Sequence, residues 1–138
     1  MSSAKVKLDK IIDYLNENSN RQIKNDFLEK YSICEVYCRQ YLKKYLVEIG
    51  EYYDDEDMGM ELQTIKDALS DAGIVFEDKK LLTRLWGKSQ KKGERSCRFL
   101  RNKITHELML SAINEIVERN EDINRDMDEF IRVVSENR

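Results

Sequence analysis

ELMLSAINEIVERNEDINRDMDEFIRVVSE, residues Glu107–Glu136, is the stretch whose reading decides the fold. Within it Met109, Ile113, Ile116, Asn120, Ile123, Met127, Phe130 and Val134 step by three or four. That spacing lines one face of a helix. No strand pattern of alternating residues competes with it. A single helix over Glu107–Glu136 would be about 45 Å long at 1.5 Å per residue. The spacing therefore predicts a long C-terminal helix able to serve as the spine of the domain. The helical pattern reaches back to Ser89, with the residues before Glu107 the place for a break.

Upstream the same period recurs. Residues Ala4–Asn16 carry a stripe of Leu8, Ile11, Ile12 and Leu15. Ser19 or Asn20 is expected to cap a second, long helix over Arg21–Gly50, with a possible bend near Lys30. Phe27, Tyr31, Cys34, Cys38, Tyr41, Tyr45 and Ile49 share its face. Tyr52–Gly59 reads as an acidic, solvated loop. Met60–Ala72 and Glu77–Trp86 give two shorter helices, with Ile74-Val75-Phe76 as an apolar connector. The expectation is one all-α domain over residues 1–138, a small helical bundle of five or six helices with a long C-terminal helix.

Composition agrees. The chain has no proline and five glycines, too few turn formers for a β-rich fold of 138 residues. Charged residues make up 37% and hydrophobic residues 41%, a mixture suited to amphipathic helices. No apolar run is long enough to span a membrane, and the N-terminus lacks the apolar stretch of a signal peptide. A cytoplasmic setting is expected. Three cysteines, an odd count, read as free thiols. Cys34 and Cys38 are four apart, but no Cys-x-x-Cys pair or second histidine accompanies them, so core thiols are expected and no metal site. Asp54–Asp57 lacks the spacing of a calcium loop.

The net charge of −3 conceals an asymmetry. Between Lys79 and Lys103 stand ten basic residues: Lys79, Lys80, Arg84, Lys88, Lys91, Lys92, Arg95, Arg98, Arg101 and Lys103. Glu94 is the one acid in that span, which carries +9. The rest of the chain has 14 basic and 26 acidic residues. A cationic surface of this kind suits a polyanion. Lys88, Lys91, Lys92, Arg95, Arg98 and Lys103 are the candidate contacts to an RNA backbone. An exposed helical face without a ligand is the plainer reading of any one of them.

His106, the sole histidine, closes the basic span. Asn102 lies four residues before it and shares its helix face. Arg101 lies five before it, roughly 140° around an ideal helix. Convergence of Arg101 and His106 on one ligand needs either the reach of the arginine side chain or a local distortion.

The stretch Arg101-Asn102-Lys103-Ile104-Thr105-His106 resembles the R-N-x-x-x-H form of the R-x(4–6)-H motif of the HEPN superfamily. The flanking Phe99-Leu100 and Glu107-Leu108 resemble those proteins too. HEPN domains are small helical bundles in which a long helix follows the histidine. The specific match covers about ten residues.

What the resemblance implies is RNA cleavage that needs no metal or other cofactor. The RNA's own 2′-OH attacks the adjacent phosphate, leaving a 2′,3′-cyclic phosphate and a 5′-OH. The residue types suit it: histidine exchanges protons near neutral pH, and arginine stays charged and stabilises a negative phosphorane. Asn102 would orient the histidine or hydrogen-bond the phosphate. Proton transfer in both directions benefits from two imidazoles, and one chain supplies one. A homodimer with a composite active site is therefore expected, as the resemblance also implies. A toxin or abortive-infection effector is the setting it suggests, with an antitoxin or other regulatory protein as a further partner.

Two positions depart from the pattern. Glu107 stands where many active members have glycine or another small residue, and a carboxylate there repels phosphate. Leu108 stands where members regulated by a nucleotidyltransferase partner carry tyrosine, so that control is not expected. The alternative to a nuclease is a non-catalytic helical module, either RNA-binding or a protein-interaction subunit of antitoxin type.

Overall fold

A computed structural model describes residues 3–17, 19–51 and 61–136. Among these the chain forms seven helices and no strand. They are α1 (Ser3–Leu15), α2 (Asn20–Glu48), α3 (Leu62–Asp71), α4 (Leu81–Trp86), α5 (Cys97–Glu107), α6 (Leu110–Glu118) and α7 (Asn120–Glu136). The expected acidic loop at residues 52–59 lies outside the described residues.

The spine is α2, not the C-terminal helix. Its 29 residues run unbroken past Lys30 for about 43 Å at 1.5 Å per residue. It packs against α1, α3, α5, α6 and α7. Phe27, Tyr31, Cys34, Cys38 and Leu42 form its buried face, and Ile49 ends the expected stripe in solvent.

The single helix expected from Glu107 onward is two helices, α6 and α7. It fails to begin at Glu107 because Leu108 turns left-handed (φ 47°, ψ 48°). It is interrupted again at Arg119 (φ −102°, ψ 18°), whose guanidinium turns inward to Glu115 and the Arg95 carbonyl. The apolar stripe survives both interruptions. Ile113, Ile116, Ile123, Met127, Phe130 and Val134 are all buried. Period alone does not register such breaks, because one residue out of helical geometry barely shifts the stripe.

The N-terminal end differs as well. Only Leu15 of α1 is buried, while Leu8 is 47% exposed and Ile12 is exposed too. This helix docks by its C-terminal end, where the Tyr14 hydroxyl donates to Asn114 Oδ1 (2.6 Å). Ser19 makes no side-chain cap bond. Asn20 works backward instead: buried, it donates from Nδ2 to the Tyr14 carbonyl (2.9 Å) and ties the end of α1 to the start of α2.

The core gathers around Trp86. Its ring meets Phe130 edge-on at 4.8 Å between centroids, and Phe76 stacks on the same Phe130 at 5.8 Å. Ile74 and Phe76 of the connector are buried between helices, with Val75 outward. Cys34, Cys38 and Cys97 are buried free thiols, as expected. Burial pushes the Cys34 and Cys97 thiols up to about 12, and that of Cys38 higher still.

Arg84 clamps α4 to α7. Its Nε and Nη2 donate to both carboxylate oxygens of Asp126 (2.8 and 2.9 Å), and it also pairs with Asp78. Bidentate geometry makes this pair stronger than an ordinary surface ion pair. Asp126→Ala is expected to cost about 1–2 kcal/mol, read as a lower urea midpoint with an unchanged slope.

Candidate active site and nucleic-acid interface

Residues 87–96 form a loop, although the sequence pattern suggested helix from Ser89. Gly93 lies in the left-handed region (φ 89°), which glycine enters without a steric penalty. The loop ends where Ser96 caps α5, its hydroxyl accepting from the Phe99 N–H (3.2 Å).

The loop is anchored by one buried carboxylate. Glu115 of α6 is 3% exposed. Its Oε1 accepts from the Gly93 N–H (2.8 Å) and its Oε2 from the Arg95 N–H (3.0 Å). The guanidinium groups of Arg95 and Arg119 complete its surroundings. Arg95 itself is 9% exposed. It bonds Ser111 Oγ (3.0 Å) and reaches the Gln90 carbonyl (3.5 Å). A surface position was expected of Arg95 as an RNA contact. The structure turns it inward, because it is the counter-charge that makes burial of Glu115 affordable.

The other expected contacts are distributed unevenly. Lys88, Lys91 and Lys92 are exposed on the loop, with Lys91 next to Glu94 (3.6 Å). Arg98 and Lys103 are half-buried on α5. Lys103 and Arg95 each stand 5.6 Å from the centre of the Phe99 ring. Much of the +9 is therefore met by acids from elsewhere in the chain: Glu35, Asp78, Glu107, Glu115 and Asp126. Lys88 and Lys92 remain the exposed loop cations that have no ion pair among the described residues.

The motif occupies α5, which is regular from Cys97 to Glu107. Without a distortion, Arg101 and His106 point to different sides. Arg101 faces α2. Its Nη2 is 3.6 Å from Glu35 Oε1, its guanidinium lies 5.7 Å from the Tyr31 ring centre, and its Nη1 donates to Asn102 Oδ1 (3.0 Å). His106 is exposed in the last turn, and its imidazole makes no hydrogen bond among the described residues. Asn102 is half-buried between the two. Leu100, the apolar residue before Arg101, belongs to the core.

Glu107 is tied back along the helix to Lys103 Nζ (3.1 Å). Its carboxylate is thus partly neutralised. Leu108 then holds its left-handed turn, donating to the Ile104 carbonyl (3.1 Å). For a residue with a Cβ that conformation costs about 1–2 kcal/mol. It ends α5 immediately after the motif, so that α6 leaves in a new direction.

Phe99, Asn102 and His106 lie along one stripe of α5, since steps of three and four return to the same face. Beside this stripe, Gly87, Lys88, Gln90, Arg98, Phe99 and Asn102 line a cleft of about 220 Å³. The sequence reading places Tyr31 in the core stripe of α2 and does not single out Glu35, Glu115 or Gln90. Glu115 and Glu35 each carry a local signal, an acid four residues before an arginine, Arg119 and Arg39. Compared with known proteins, the chain matches no family model, no curated protein and no solved structure.

Proposed function

We propose that this chain is a HEPN-type endoribonuclease whose proton-transfer group is His106. The observation that carries this reading is an exposed imidazole, one turn along α5 from Asn102, which itself lines a cleft with Lys88 and Arg98. The all-helical bundle is compatible with the HEPN resemblance of Arg101–His106.

In the proposed reaction, one imidazole removes the 2′-OH proton as the 2′ oxygen bonds to phosphorus. The bond from phosphorus to the 5′ oxygen breaks, and a second imidazole protonates that oxygen. The second imidazole is the partner's His106, so the working form is a homodimer across the exposed end of α5. Asn102 donates to the phosphate. Arg101 is a positioning residue, because it holds Asn102 Oδ1 and lies against α2. A toxin or antiviral effector in the cytoplasm, held in check by an antitoxin, is the setting that goes with the resemblance.

One observation favours a second reading. The engagement of Arg101 with Glu35 and Tyr31 is also what a purely structural arginine shows. A non-catalytic RNA-binding module, or an antitoxin-like subunit, would keep it.

The test is incubation of the purified chain with total RNA in EDTA. Cleavage is expected, with 2′,3′-cyclic phosphate ends, and lost in Arg101→Ala at unchanged helical content. Arg101→Lys keeps the charge but loses the Nη1 hydrogen bond to Asn102 Oδ1, so it is expected to lower kcat more than it raises KM. Full activity in Arg101→Ala would remove its positioning role. Salt-sensitive RNA binding without cleavage would favour the module. A strict monomer at micromolar concentration by light scattering would overturn the composite site.

A further inference from the structure

The clefts of the structure differ in charge. One, about 650 Å³ between the start of α4 and α7, is lined by Glu77, Asp78, Asp122, Asp126 and Glu129 among its arginines. A groove of about 600 Å³ between α1 and the α5–α6 turn is mainly apolar and mixes Lys7 and Lys10 with Glu107. The cleft beside Asn102 contrasts with both. Among the described residues its lining holds two cations, Lys88 and Arg98, two amides, Gln90 and Asn102, one aromatic ring and no carboxylate. An anion carrying hydrogen-bonding edges fits that lining.

We infer that this cleft is a base-reading subsite for single-stranded RNA, an inference that rests on the ribonuclease reading above. At about 220 Å³, and about 30 Å³ for each water it displaces, it takes one ring and not a duplex end. The phosphate of the same nucleotide stays at the rim, with Lys88. Unstacked bases are the usual object of sequence-specific RNA recognition, read along their Watson–Crick and Hoogsteen edges.

The amides set the preference. Asn102 Oδ1 already accepts from Arg101 (3.0 Å), which fixes the amide and leaves two N–H groups, one for the phosphate and one for a base. The subsite therefore favours a base with an acceptor atom at that point. Gln90, exposed across the cleft, supplies one donor and one acceptor. Phe99 contributes an apolar wall and not a stacking platform, because Arg95 and Lys103 already stand over its ring.

The walls are preformed. Ser96 N–H bonds the Ser89 carbonyl (3.2 Å), and Glu115 holds the far end of the loop. At Gly87 a Cβ would come within 2.4 Å of the Thr83 carbonyl oxygen. A side chain there would force apart the junction of α4 and the loop. His106 lies seven residues beyond Phe99 on the same stripe, about 10 Å along the helix at 1.5 Å per residue. A base held in the cleft thus places the strand along α5 toward the imidazole.

The test uses short fluorescent single-stranded RNAs that differ at one base, in binding and in cleavage. The unaltered chain is expected to prefer one base at one position. Gln90→Leu should reduce that preference by about ten-fold. Lys88→Ala should weaken all sequences alike and lower the salt slope by about one. Binding with base preference but no cleavage would retain the subsite and remove the ribonuclease reading. Cleavage with a base preference that Gln90→Leu leaves untouched, or with no preference at all, would remove the subsite and retain the ribonuclease. No binding of single-stranded RNA would overturn both.

Discussion

His106→Ala is expected to lower RNA cleavage by about 10²–10⁴-fold, the usual contribution of a general acid or base. It should leave the fold intact. The imidazole is exposed in the last turn of α5 and bonded to nothing among the described residues, and surface changes away from buried features usually cost less than about 0.5 kcal/mol. The urea midpoint should therefore stay where it is while the rate falls. RNA binding should also survive, because Lys88 and Lys92 are untouched. In the composite site each phosphate meets two imidazoles, one from each protomer. Mixing the His106→Ala chain with an Asn102→Ala chain then gives a sharp check. In a mixed dimer each active centre contains at least one altered residue, so activity should not return. Undiminished cleavage by His106→Ala alone would overturn the mechanism.

Both the fold and the candidate site were legible to different depths in the sequence. Helical period located the buried faces of α2, α6 and α7, because burial at every third or fourth position is imposed by helix geometry itself. It missed the left-handed turn at Leu108 and the break at Arg119. Leucine has no local preference for that turn, and tertiary contacts of Arg119 override its helical propensity. Placement of Asn102 and His106 on one face followed from their spacing. The +9 of the basic stretch misled in part. Counting charges along the chain does not show that Asp126, Glu35 and Glu115 come from α7, α2 and α6 to meet Arg84, Arg101 and Arg95. Each of those pairs spans 20 or more residues, and only packing brings it together.

Glu115→Leu is expected to be among the most destabilising single changes in the chain, at about 3–5 kcal/mol. The number comes from what is left behind. Arg95 and Arg119 both lose a carboxylate that is 3% exposed, and removing one partner of a buried ionic group typically costs about 3–5 kcal/mol. The Gly93 and Arg95 N–H groups lose their acceptor as well, at about 1–3 kcal/mol for each that stays buried and unmet. Opening of the loop to water recovers some of this, so the terms do not add in full. The consequence for RNA follows from the same recovery. A loop that swings away from α6 to satisfy its N–H groups carries Lys88, Lys91 and Lys92 with it. Glu115→Gln separates the two effects. It keeps one acceptor oxygen but sets an amide N–H₂ toward a backbone donor and removes the charge opposite two arginines. Its loss of stability should fall between those of the parent and of Glu115→Leu, with RNA affinity falling in the same order. Denaturant midpoints and anisotropy titrations on the three proteins decide it. Equal midpoints for all three would show that the loop is held by something other than this carboxylate.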